Sequence, residues 1–179
     1  MDRQPVHIFP EPIDGSVAKV LVSACLNGPP IRYNQTSVTV ESSVWDRWAA
    51  EGRLVPFCGE LAAGFPIPRP PAEIVGGDGT NVLYGVGTVV ENTGNDVTDE
   101  FVEGARLAVA HAVEHGCVAA VLTDGSPSCG STYKYDGTFG GGTEPGTGVV
   151  AQMLIDNGIQ VFPETELEQA DEFIQRLGS

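Results

Sequence analysis

The sequence predicts an α/β fold: a single Rossmann-like domain with a mostly parallel sheet flanked by helices. Three observations carry that prediction. Apolar, β-branched runs near residues 18–24, 54–57, 117–122 and 159–162 each stop at glycine or proline clusters, the pattern of buried strands. Segments with helical spacing lie between several of them, and parallel neighbours require such crossovers. The 179 residues, 41% hydrophobic with 23 glycines and 13 prolines, suit one core carrying long, shaped loops.

Residues 1–17 show no periodicity and read as an N-terminal arm, leaving 18–179 as one α/β domain. The first strand, Lys19 to Ala24, runs into Cys25, and the Pro29–Asn34 turn follows with Arg32 and Tyr33. Ser42 to Glu51 has helical spacing, a serine cap and a terminating Gly52. The second strand ends at Cys58. The Pro/Gly-rich stretch from Gly59 to Thr80 reads as a long loop, and loops of that length are usually functional. Asn81 to Glu91 predicts a hairpin turning near Gly85-Val-Gly87. Asp96 opens a long helix to about His115, with acids in its first turn as the macrodipole favours. The third strand, 117–122, is followed by a glycine-rich loop over 124–147. A helix over 148–157, a strand over 159–162 and an acidic helix over 164–177 complete the chain.

The net charge of −15, from 9 Lys+Arg against 24 Asp+Glu, leaves no basic patch for phosphates. A nucleic-acid substrate is disfavoured and a small molecule favoured. No apolar run reaches membrane-spanning length, and the N-terminus lacks a signal-peptide pattern, so the expectation is a cytoplasmic protein. Four cysteines without a CxxC pair argue against disulfides, zinc ribbons and thioredoxin-like chemistry.

Cys25, Cys58 and Cys129 each stand just past a strand. If the strands are parallel, all three meet at the carboxyl ends, where α/β folds build sites. They could be core residues, one could be a nucleophile, or all three could hold a metal centre. A Cys–His nucleophile lacks a partner: His7 lies in the arm, and His111 and His115 read as caps late in a helix. Three thiolates with an open position suit zinc or an iron–sulfur cluster, and spacing leaves both open. Glu60 and Ser126 would flank the thiolates, one to move protons and the other to orient substrate or water. Plainer readings are a helix-start acid for Glu60 and a turn or cap residue for Ser126. Cys117, at the other end of its strand, reads as a buried core thiol. Arg32, Tyr33, Arg69 and Lys134 are the cations and aromatic nearest the rim. The glycine-rich stretches 76–79 and 137–142 lack the Gly-Lys-Ser/Thr of a phosphate loop. They more plausibly let backbone pass close to a buried group.

Val22-Ser-Ala-Cys-Leu-Asn-Gly28, Arg32-Tyr33, Gly52-Arg-Leu-Val-Pro-Phe-Cys-Gly-Glu-Leu-Ala-Ala-Gly-Phe65 and Pro68-Arg-Pro-Pro-Ala-Glu73 resemble the bacterial DUF523 family. Ser126-Pro-Ser-Cys-Gly130 and Tyr135-Asp-Gly-Thr-Phe139 continue the likeness, which spans about 18–162. The resemblance extends to the thiouracil desulfidases and implies a [4Fe-4S] cluster on Cys25, Cys58 and Cys129, with one open iron for the substrate sulfur. It implies Glu60 as acid/base and Ser126 as an active-site residue. The expected reaction is hydrolytic desulfuration of a small thiolated pyrimidine, in a monomer or small homo-oligomer. The alternatives are a non-catalytic iron–sulfur or sulfur-binding protein, and a zinc hydrolase using the same cysteines. Gly59 stands where relatives often have proline, and Thr123-Asp124 where they often carry a basic residue.

Overall fold

The computed structural model describes residues 17–28, 30–36 and 38–178. The arm expected over 1–17 lies outside them except for Val17. In chain order the elements are β1 (Lys19–Ser23), a 3-10 turn (Ala24–Asn27), α1 (Ser43–Ala50), β2 (Leu54–Phe57), α2 (Gly59–Ala62) and β3 (Ala72–Val75). Then come α3 (Gly79–Leu83), β4 (Thr88–Glu91), α4 (Thr98–Glu114), β5 (Cys117–Leu122), β6 (Tyr133–Tyr135) and β7 (Thr143–Pro145). The chain closes with α5 (Val149–Asp156), β8 (Gln160–Pro163) and α6 (Leu167–Leu177).

The main sheet has the order β2-β1-β5-β8, and every pairing in it is parallel. Side-chain alternation splits its residues between two cores. Leu21, Val55, Ala120 and Leu122 face α4 and α5, which contribute Phe101, Ala105, Ala108, Val150 and Leu154. Val20, Val22, Ala119 and Val121 face α1 and α6, which contribute Trp45, Trp48, Leu167 and Ile174. Trp48 is fully buried and spends its indole N–H on Asp171, at 3.0 Å, so the α1–α6 contact is polar-anchored as well as apolar. The result is a helix–sheet–helix sandwich, as the sequence predicts.

Strand order sets the position of the site. The chain steps outward from β1 to β2, then returns past β1 to β5, so β1 and β5 flank a switch point whose crevice opens at their carboxyl ends. Ser23 is in register with Phe57, and Val22 with Val121. The cysteine-bearing segments therefore leave from one edge.

Two expectations are corrected. The hairpin expected over 81–91 is instead formed by β3 and β4, in antiparallel register from Ala72↔Glu91 to Val75↔Thr88. Gly79–Leu83 is helical because Asp78 caps it: its carboxylate accepts from the Thr80 N–H at 2.9 Å, and the Asn81 side chain accepts from the Asp78 N–H at 3.0 Å. The two long loops expected over 59–80 and 124–147 also contain regular structure, α2 and β3 in the first and the β6–β7 hairpin in the second.

Candidate active site

Each cysteine is presented by a different local device. Cys25 sits in the 3-10 turn that ends β1, Cys58 is the residue before the first turn of α2, and Cys129 lies in a tight loop beyond β5. That loop is pinned by its neighbours' unpaired backbone. Helix α5 has no side-chain cap; its Val149 and Val150 N–H groups donate to the carbonyls of Pro127 and Ser128, at 2.8 and 2.9 Å. The Gly148 N–H donates to Gly130 O at 2.7 Å. The loop thus supplies the acceptors that a helix start needs. Gly148 has to be glycine, since a Cβ there would fall 2.4 Å from the Ser128 carbonyl oxygen.

The Asp124 carboxylate organises the other side of the loop. Its Oδ1 accepts from the N–H groups of Gly125, Ser131 and Thr132, at 3.0–3.1 Å, and its Oδ2 accepts from the Thr132 hydroxyl. Burial alone would raise its pKa, but these donors outweigh burial and hold it below the usual carboxylate range. Asp124 is therefore a loop-building residue.

Cys25, Cys58 and Cys129 line one cavity of about 440 Å³, together with Glu60, Arg69 and Ser126. That volume is in the range of small-ligand pockets. All three thiols are pushed up by burial. The Thr123 hydroxyl, 3.1 Å from Cys25 Sγ, pulls the other way, as do the N–H groups of Leu61 and Glu60 at Cys58 and the Ser23 hydroxyl at Cys129. A nucleophilic cysteine needs a depressed pKa. The thiols here show the opposite, and no described histidine lines the cavity. Buried thiols with raised pKa values become thiolates when a bound cation supplies the compensating charge.

Three soft donors facing a shared cavity suit zinc and iron–sulfur centres alike.

Glu60, in the first turn of α2, is gripped by Arg69: Nε donates to Oε1 at 3.2 Å and Nη2 to Oε2 at 3.3 Å. Arg69 is only 7% exposed and also donates to the carbonyls of Ile31 and Pro66. Ser126 Oγ accepts from the N–H groups of Ser128 and Cys129, at 3.0 and 3.1 Å, so the turn reading of this residue holds while its hydroxyl still borders the cavity. Arg32 and Tyr33 line the cavity as well. Lys134 does not: its buried ammonium is paired with Glu144 at 2.6 Å, on the β6 face away from Tyr133 and Tyr135. Cys117 is buried at the amino end of β5, its pKa pushed up to about 12 by burial.

Three features were not foreseen from the sequence. The Glu60–Arg69 clamp is one. The second is a set of aromatic walls, Tyr133, Tyr135 and Phe139. Phe139 adopts φ +57, and its N–H and that of Gly137 donate to the buried Glu73 carboxylate, at 3.2 and 2.8 Å. A carboxylate thus holds an aromatic residue in a backbone conformation that side chains seldom choose. The third is Gly59. Helix α4 crosses so closely at Gly104 that a Cβ on Gly104 would lie 2.5 Å from the Gly59 carbonyl oxygen. The glycine pair seats α2, with Glu60 and the adjoining Cys58, on the core.

Known proteins resemble this chain. The chain is 43% identical over 148 residues to the uncharacterized protein YbbK of Bacillus subtilis (strain 168), covering 83% of this chain and 97% of that one. The solved structure of TudS, a [4Fe-4S]-dependent thiouracil desulfidase, superposes with a TM-score of 0.81 at 42% identity, covering 88% of this chain and 98% of that one. The family model of the 2-thiouracil desulfurases matches residues 20–166, from within β1 to just before α6. This chain belongs to the 2-thiouracil desulfurase family.

Proposed function

We propose that this chain is a [4Fe-4S]-dependent enzyme that converts the thiocarbonyl of a thiolated pyrimidine to a carbonyl, consuming water and releasing hydrosulfide. The observation that carries the reading is the opening of three raised-pKa thiols and one arginine-clamped carboxylate into a single cavity. Cys25, Cys58 and Cys129 would hold the cluster, which when bound supplies a Lewis-acidic iron able to polarise a carbon–sulfur bond.

The chain's own groups do the rest. Tyr133, Tyr135 and Phe139 offer ring faces and edges to a planar heterocycle. Glu60 accepts a proton from the attacking water: a carboxylate has about four lone-pair sites, and Arg69 occupies two. Arg69 fixes the angle at which the remaining lone pairs face the cavity. The reaction is a hydrolysis, so no electrons are exchanged. The Ser126 hydroxyl keeps its proton free to donate, because its oxygen is the acceptor for two N–H groups. It can orient substrate or water. The small cavity and the −15 net charge favour a free base over a folded RNA. Among the described residues no helix is long and apolar enough to cross a membrane, and four free cysteines suit a reducing, cytoplasmic setting.

Anaerobic purification, iron and sulfide analysis, and assay with 2-thiouracil test this reading. It predicts a brown protein with about four irons per chain that yields uracil and sulfide in equal amounts. A protein that holds the cluster and releases no sulfide would be a carrier. A colourless zinc protein would refute the cluster assignment.

A further inference from the structure

We propose a second metal site, outside the cavity, on the last turn of α4, where His111, Glu114 and His115 bind one divalent transition-metal ion of the Zn²⁺ class. One ring nitrogen of each imidazole and a carboxylate oxygen of Glu114 all lie within 4.8 Å of one another. The spacing i, i+3, i+4 puts all three on one helix face. The two imidazole rings are 4.1 Å apart between centroids. No hydrogen bond joins a nitrogen of one ring to a nitrogen of the other.

Each ligand is prepared in a different way. His115 Nδ1 is 2.9 Å from the His111 carbonyl oxygen, and a carbonyl can only accept. That bond places the proton on Nδ1 and leaves the Nε2 lone pair free, the outer-shell arrangement that orients metal-binding histidines. His111 is half-buried, with its ring 4.9 Å from the Phe57 ring, so packing against β2 restricts its rotation. Glu114 and His115 are exposed and can close the remaining distance by side-chain rotation. Ligand atoms around one zinc ion stand roughly 3.3–3.5 Å apart.

The surroundings favour a cation. Gly116, at φ +66, turns the chain out of the helix immediately after His115, so all three ligands occupy the terminal turn where the carbonyl ends carry partial negative charge. Two imidazoles and a carboxylate leave a coordination position for water, and imidazole nitrogen suits zinc, nickel and copper alike. An ion bound here braces the end of α4 next to Phe57, the residue that precedes Cys58.

The test is calorimetric titration of the anaerobically prepared, cluster-loaded enzyme with Zn²⁺, alongside H115A and the H111A/H115A double variant. One equivalent should bind, and H115A should weaken it at least about tenfold, since losing a direct ligand costs no less than losing its outer-shell partner. The ring-proton NMR signals of His111 and His115 should shift with Zn²⁺ while that of His7, the third histidine, stays in place. Because the His115 ring is exposed, H115A decides the question even if removing His111 loosens its packing on Phe57. Zn²⁺ uptake that is the same in wild type and both variants overturns the proposal.

Discussion

Arg69 donates to both carboxylate oxygens of Glu60, at 3.2 and 3.3 Å, from a position almost sealed from solvent. A fork of this kind fixes direction as well as charge, and lysine cannot reproduce it. E60Q should keep the cluster and lose on the order of 10²–10⁴-fold in turnover, the usual contribution of a general acid–base group. R69K should also keep the cluster, and its loss should fall mainly on kcat, because it misdirects Glu60 without removing it. Iron content and sulfide release on the same preparations check both. Full activity in E60Q would move the proton relay elsewhere.

The three cavity cysteines should behave unlike the fourth. Alanine at Cys25, Cys58 or Cys129 should abolish the brown colour and lower iron below the roughly four per chain of the intact protein. C117A should retain both, because that thiol is buried at the opposite end of β5. Iron analysis of the four variants decides it, and a colourless C117A would defeat the assignment.

Gly104 is expected to be intolerant of even one methyl group. A Cβ there meets the Gly59 carbonyl oxygen at 2.5 Å, so G104A must push α2 off α4. Overpacking of this sort costs about 1–3 kcal/mol. The displaced helix carries Glu60 and follows Cys58, so activity should fall further than thermal stability does. Chemical denaturation beside a turnover assay separates the two effects.

Asp124 gives the cysteine loop a pH limit. Its folded pKa is lowered, so its stabilisation is complete above the unfolded value near 3.9 and is lost as pH falls through the lower folded value. D124N should cost on the order of 1 kcal/mol at neutral pH, since its hydrogen bonds are partly screened by solvent. The gap between D124N and wild type should close in strong acid. Thermal unfolding of metal-free protein at both pH values measures this, and a gap that persists in acid would assign the loop's order to other residues.

The frame of the fold was legible because strands such as Leu54–Phe57 and Cys117–Leu122 end abruptly at glycine-bearing turns, and local sequence determines such ends. The convergence of Cys25, Cys58 and Cys129 followed from parallel topology alone. Other features depend on contacts that no local pattern announces. Glu60 and Arg69 meet across nine residues because α2 and the loop after it fold back on each other. The five-residue helix α3 was hidden by the Gly76-Gly-Asp-Gly79 run at its start, although Asp78 and Asn81 formed a readable cap. Lys134 was placed at the rim, but strand alternation between Tyr133 and Tyr135 points it the other way, a signal that was present in the sequence.

Because α5 starts on carbonyls of the Cys129 loop, two parts of the 124–147 segment differ in how much added chain they can accept. One residue inserted between Ser126 and Gly130 would shift the acceptors for Gly148, Val149 and Val150 and so dislodge a helix whose Val149 and Leu154 are fully buried. One inserted between Gly140 and Gly141 would only lengthen an exposed rim. Room for redesigning the pocket's mouth therefore lies at the 140–141 tip, while the length of the 126–130 turn is fixed by the helix built upon it.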